Sequence, residues 1–167
     1  SGGEVLEQRA FAVRILRGAR EMGVHSAIVT SGFLGRIASD ELLADVDLVL
    51  LDVKSGDPET YRRVTGRDLA PTLEFAHRLD ALGIATWIRF VLVPGLTDDP
   101  ANVALVADHA AGLGNVERVE VLPFHQMGQD KWAEIGMRYE LAETRPPEAD
   151  AVEAVREIFR SRSLLTY

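Results

Sequence analysis

No cysteine occurs in this sequence, which excludes disulfides and thiolate-held metals within the chain. Positive charge is also scarce: 18 Lys and Arg stand against 26 Asp and Glu, for a net charge of -8. No Lys/Arg-rich run appears, which argues against a partner held through nucleic-acid phosphates. No apolar stretch approaches the ~18 residues a membrane-spanning helix needs. A signal-like basic stretch leading into a short apolar one is missing as well. What is present is ordinary for a soluble globular protein: 167 residues, 47% apolar and 26% charged. That length allows one domain with a real core. The lack of cysteine fits a cytoplasmic location.

A helix, a glycine and an apolar strand repeat along the chain. Leu6, Val13, Leu16, Ala19 and Met22 recur at helical spacing and stop at Gly23, a good residue just past a helix end. Strands are expected at residues 25–30, 46–53, 85–93 and 116–122. Helical pattern covers residues 36–44, 72–82 and 148–160. A further helix to about residue 111 opens at Asp99-Pro100, an acidic N-cap followed by Pro at the first helical position. Residues 125–147 are polar and lack regular pattern. Strands apolar on both faces and alternating with helices predict a parallel sheet in an α/β fold.

In such folds chemistry gathers at the carboxyl ends of the strands. The first strand finishes at Thr30-Ser31-Gly32 and the second at Asp52-Val53-Lys54. The third carries Arg89, and the fourth ends at Pro123-Phe124-His125. The chain opens with Ser1-Gly2-Gly3-Glu4, where flexible residues before a carboxylate suit backbone that approaches a ligand closely and turns into a helix. Such a turn normally follows a strand, so the reading expects the back part of a larger catalytic domain. Together these residues suit a zwitterionic ligand: Lys54 or Arg89 for a carboxylate, Glu4 for an amine or ribose hydroxyl, His125 for a base. Each also has a plainer reading. Asp52 and Lys54 can be a surface pair, Arg89 a structural ion pair with Asp52 or Glu4, and His125 a loop histidine. On the residues alone two functions stay open beside a cofactor enzyme. One is an aldolase-like barrel with Lys54 as Schiff-base nucleophile; the other is a non-catalytic module binding a nucleoside or a protein partner.

Gly2-Gly3-Glu4, residues 29–33, 50–54 and 87–95, and above all Leu122 to Gly128 with Lys131-Trp132, Gly136, Tyr139 and Arg145-Pro146-Pro147, resemble the radical S-adenosylmethionine superfamily. Within it they are most similar to the activating enzymes of glycyl-radical enzymes. The resemblance covers essentially the whole chain. It implies a partial (β/α)6 barrel of parallel strands, with residues 1–167 forming its C-terminal part and the N-terminal strands and cluster loop missing. The implied reaction is reductive cleavage of S-adenosylmethionine at a 4Fe-4S cluster, followed by hydrogen abstraction from a partner glycine. The implied partner is a glycyl-radical enzyme, with pyruvate formate-lyase favoured, and the electron donor is of the flavodoxin or ferredoxin class. The cluster's C-x3-C-x2-C loop has no counterpart here, so this chain alone is expected to be inactive.

Motif match assigns Gly2, Gly3 and Glu4 to the methionine amino group and Lys54 to its carboxylate. Arg89, Leu122 and His125 would line the rest of the cofactor pocket, the last two near the nucleoside. The family's monovalent cation would meet Thr30, Leu50 through its carbonyl, and Asp52. Val29 and Ser31 depart from an Asp and an Asn in the family pattern, which removes one ligand and one negative charge from that cation site. Residues 126–132 are the expected contact for the partner's glycine loop, with a structural closing loop packed by Trp132 and Tyr139 as the alternative.

Overall fold

The computed structural model describes residues 3–128, 132, 134 and 136–167. Gly2 and Lys131 lie outside the described residues, as do residues 129 and 130 of the expected partner contact. Four strands, β1 (Ala27–Thr30), β2 (Leu48–Asp52), β3 (Ala85–Leu92) and β4 (Val116–Pro123), form one sheet in the order β1-β2-β3-β4. All neighbours are parallel. Helices α1 (Arg9–Glu21), α2 (Asp40–Leu43), α3 (Pro58–Thr65), α4 (Ala70–Ala81), α5 (Pro100–Ala111) and α6 (Ala149–Arg160) precede, link or follow the strands. The α/β class expected from the alternation is therefore the observed one.

The helical expectations change in two places. The stretch 36–44 is not one helix: a short 3-10 turn, Gly35–Ile37, precedes the single turn of α2, where the Ser39 hydroxyl accepts from Leu42 N–H and restarts the helix. The short helix α3 was not expected. Asp57 caps it by accepting from Thr60 N–H, Pro58 opens it, and Gly66 ends it in the left-handed region at φ 67°.

The strands are not apolar on both faces. Burial along β3 alternates at every residue, with one side buried and the other half-open. On the buried side Val49, Leu51, Ile88, Phe90 and Val119 pack with Phe75, Val106 and Phe159 of the helices. The opposite face carries Leu50, Asp52, Trp87, Arg89 and Glu120, all half-buried. Period-two alternation turns one set of side chains toward the helices and the other toward an open concave side. The core thus sits on one face of the sheet, and the charged groups stand on the other.

Beyond α6 the chain returns to the free side of β4. Thr166 bridges Val119 in parallel, and Tyr167 N–H donates to Val119 C=O at 3.0 Å while Val121 N–H donates to Tyr167 C=O at 2.9 Å. This extended tail covers part of an edge that would otherwise present unpaired backbone groups.

Candidate functional site

Register brings the charges together. Asp52 is the direct partner of Arg89, and Arg89 of Glu120, so the three side chains lie in one row across the concave face. Arg89 is inside β3 rather than at its end, because β3 runs past β2. Lys54 Nζ donates to Asp52 Oδ2 at 3.0 Å, and Arg89 Nε stands 3.6 Å from Asp52 Oδ1. On its other side Arg89 Nε is 4.0 Å from Glu120 Oε2, while Arg118 Nη2 donates to Glu120 Oε1 at 2.7 Å. Three cations and two carboxylates therefore alternate across the sheet, one positive charge in excess. Asp52 Oδ1 is buried and has no hydrogen-bond partner; at 3.6 Å the Arg89 contact is an ion pair, not a hydrogen bond.

The opening turn is anchored to the end of β1 through Glu4. Its Oε1 accepts from Thr30 Oγ1 at 2.7 Å and from Leu6 N–H at 3.2 Å. Its Oε2 accepts from Ser31 N–H at 3.1 Å and Ser31 Oγ at 3.0 Å. A carboxylate has about four acceptor positions, so Glu4 is fully engaged within the chain. Thr30, buried at 2% exposure, also accepts from Gly32 N–H at 3.0 Å. Gly32 sits at φ 73° and its virtual Cβ would lie 2.9 Å from Leu51 Cδ1, so this loop needs glycine both for its backbone and for its space.

The same loop is tied to the helices. Thr72 Oγ1 donates to Ser31 C=O at 2.8 Å. Having one proton, Thr72 accepts from Tyr61 OH, 2.8 Å away. The Tyr61 phenol lies in the core at 1% exposure, and burial raises its pKa. A donor relay thus runs from α3 through α4 to the residue that binds Glu4.

Gly3, Glu4, Phe11, Ile15, Val29 and Arg89 line one cavity of about 510 Å³ between α1 and the free edge of β1, within the usual size range of small-molecule sites. Of the expected zwitterion site, Glu4 and Arg89 therefore reach one space. Leu122 pairs with Val91 in register, farther along the concave face. His125 is exposed beyond β4, and its Nδ1 accepts from Met127 N–H at 3.4 Å. Lys54, Leu122 and His125 do not line that cavity. Gln126 is spent on structure: its amide donates to Ala142 C=O at 2.8 Å and Thr144 C=O at 2.9 Å. Trp132 and Tyr139 pack with ring centres 6.0 Å apart, and Met127 is 81% exposed. Glu120 and Arg118 were not singled out in the sequence. Alternation in Val116-Glu117-Arg118-Val119-Glu120-Val121 was the available signal, since it puts both on one face.

Among the described residues no group of three His, Asp or Glu converges as a metal site, and no helix is long and apolar enough to cross a membrane. The known proteins this chain is similar to are consistent with one another. Pyruvate formate-lyase 1-activating enzyme of Escherichia coli K12 is 37% identical over 160 residues, covering 95% of this chain and 65% of that protein. The pyruvate formate-lyase-activating enzyme of Streptococcus mutans is 35% identical over 173 residues, covering all of this chain and 66% of that protein. The chain thus spans just under two thirds of the length of these relatives. A crystallised domain of pyruvate-formate lyase-activating enzyme from Bacteroides vulgatus superposes with a TM-score of 0.82 at 22% identity, covering 100% of this chain and 94% of that one. A radical SAM methyltransferase from Sphaerobacter thermophilus has a TM-score of 0.69 at 18% identity, covering 99% of this chain and 48% of that one. These structural likenesses speak for the fold alone. Residues 1–105 match the family model described as the Radical SAM superfamily, and with the parallel sheet and its strand-end site this shows that the chain belongs to the radical SAM superfamily.

Proposed function

We propose that this chain is the cofactor-binding part of an enzyme that activates pyruvate formate-lyase, a glycyl-radical enzyme, and that residues 1–167 form the C-terminal part of its partial barrel. The observation that carries the reading is Arg89. Its Nε stands 3.6 Å from Asp52 Oδ1, while the residue also lines the cavity that Gly3 and Glu4 enter. A guanidinium paired with Asp52 only through charge, in a row with one surplus positive charge, suits the carboxylate of a zwitterionic ligand. In this reading Lys54 and Arg89 meet the carboxylate of S-adenosylmethionine. Gly2, Gly3 and Glu4 face its amine, and Leu122 and His125 serve its nucleoside. Because the Glu4 oxygens already hold Thr30 and Ser31, Glu4 contributes a fixed negative charge, and the backbone of the turn makes the closer contact with the amine. When bound, S-adenosylmethionine supplies a carbon–sulfur bond that one-electron reduction breaks.

The residues of this chain fit S-adenosylmethionine, but they do not fit the 4Fe-4S cluster, which needs thiolates that the sequence lacks. No step through a cluster is derived for these residues. A monovalent cation at Thr30, Leu50 and Asp52 is thinly provided for. Hard oxygen donors are what such an ion wants, yet the Thr30 hydroxyl is committed to Glu4, Val29 brings none, and Lys54 and Arg89 already flank Asp52. Of the Asp52 carboxylate, Oδ1 is buried without a hydrogen-bond partner and is left for it. The proposal extends to a flavodoxin- or ferredoxin-class electron donor, to a cytoplasmic location, and to a glycine-loop contact around Met127 and Trp132.

Equilibrium dialysis of labelled S-adenosylmethionine against the 167-residue chain tests the reading. Lys54→Ala and Arg89→Met should each weaken binding roughly 10-fold, the loss of one charge-assisted hydrogen bond. Binding unchanged in both variants would sink it, and borohydride trapping of a carbonyl substrate on Lys54 would point instead to aldolase-type chemistry. Val29→Asp should make binding depend on potassium; no salt-specific effect in that variant would count against any cation site here.

A further inference from the structure

We infer that Arg118 is a positioning residue for Arg89: by holding Glu120 it keeps the Arg89 guanidinium free for an anionic ligand. The inference rests on the reading that Arg89 meets the ligand's carboxylate. Glu120 has a choice of two arginines. It takes Arg118 at 2.7 Å, a full charge-assisted hydrogen bond, and leaves Arg89 at 4.0 Å, where the contact is only coulombic.

The preference is built in by immobilising Arg118. Its guanidinium carbon lies 3.2 Å from the centre of the Trp87 ring, with the Tyr167 ring 5.2 Å away. Trp87 is itself fixed, because its indole N–H donates to Glu117 Oε2 at 2.9 Å. Arg118 Nε is buried without a hydrogen-bond partner, so the stack rather than a second hydrogen bond holds the group flat. A planar cation pinned this way stays beside Glu120. Without it, Glu120 would turn to Arg89, its direct cross-strand neighbour, and close the fork that a bidentate pair with a ligand carboxylate needs. The two arginines thus have different tasks: one occupies the competing carboxylate, and the other faces the cavity.

Two measurements on the 167-residue chain test this. The first needs no ligand: the 15Nε–1Hε signal of Arg89 should move downfield in Arg118→Met, as Glu120 pairs with it, and return in Arg118→Met/Glu120→Gln. A signal that stays put in Arg118→Met overturns the inference. The second is S-adenosylmethionine binding by equilibrium dialysis. Arg118→Met should weaken it about fivefold, and the added Glu120→Gln should restore it. In an Arg89→Met background Arg118→Met should change nothing further, whereas an equal loss there would mean a long-range field rather than positioning. Glu120→Gln alone covers the case in which Arg118→Met does not fold. It should bind as well as the parent chain or up to threefold better, and weaker binding overturns the inference. If Arg89→Met itself leaves affinity unchanged while the Arg89 signal responds as expected, the ligand assignment fails and the Arg118–Glu120 contact is structural only.

Discussion

Replacing Glu4 with Ala should destabilise the chain more than an ordinary substitution in a terminal turn. Four donors converge on its carboxylate: Leu6 N–H, Thr30 Oγ1, Ser31 N–H and Ser31 Oγ. The Ser31 groups are half-exposed and regain water when the carboxylate goes, so they contribute little to the cost. The Thr30 hydroxyl, 2% exposed, cannot, and a buried donor left without an acceptor costs about 1–3 kcal/mol. Losing the cap on Leu6 N–H adds about 1 kcal/mol. The expected destabilisation is therefore about 2–4 kcal/mol, or a fall in Tm of roughly 5–15 °C for a chain of this length. Glu4→Gln should cost less, about 1–2 kcal/mol, because one oxygen can still serve Thr30 while the new amide faces the Ser31 N–H donor to donor. Ser31→Ala should cost least, since the Ser31 N–H and the Thr30 bond both survive. Urea denaturation followed by far-UV circular dichroism measures the series. A Glu4→Ala midpoint shift worth under about 0.5 kcal/mol, within the range of neutral surface changes, would refute the claim that this carboxylate anchors the turn.

Other outcomes follow from groups away from that turn. Tyr61→Phe removes one buried hydrogen bond to Thr72 and should cost about 1 kcal/mol at neutral pH. Burial raises the Tyr61 pKa, so the phenol ionises more readily unfolded than folded. The parent chain should lose stability as pH rises beyond ~10, and the Phe variant should lose less; identical alkaline limbs would contradict this. Asp47 is held below the ordinary carboxylate range by hydrogen bonds from Ser26 N–H and Oγ. Its stabilisation is complete above the unfolded pKa of ~4 and is lost as pH falls through the lowered folded value. Asp47→Asn should flatten the acid side of a stability–pH profile. Reconstitution of this cysteine-free chain with iron and sulfide should give no cluster absorption in the visible region, and a stable spectrum would reveal ligands not recognised in the sequence.

Much of the fold was legible because its signals are local. Gly23 and Gly83 marked helix ends, Asp99-Pro100 marked a helix start, and the β-branched runs marked strands. Asp57-Pro58 with Gly66 carried the same signal as Asp99-Pro100, but the polar face of so short a helix hid its period. The helical reading across residues 36–44 failed because Ser39 restarts the chain at its own cap. At the site, Asp52, Lys54 and Arg89 stood out as charges among apolar residues. Their pairing did not, because it depends on register: a slip of one residue in β3 or β4 would turn Arg89 or Glu120 to the buried face. Glu120 and Arg118 look like solvated polar positions of an alternating strand until β3 is laid beside them.

The monotonic strand order bears on how the chain folds. Every strand pairs with the next in sequence, so the sheet can zip from one end: residue 27 finds 48, residue 48 finds 85, and residue 89 finds 120. The longest of these closures is the tail, where residue 119 meets 166. By polymer loop statistics it costs only ~0.7 kcal/mol more entropy than the shortest. The tail is thus an inexpensive latch on the free side of β4. Tyr167, whose ring lies 5.2 Å from Arg118, is carried by this tail, so the outer flank of the Arg118 stack exists only while the tail is paired with β4.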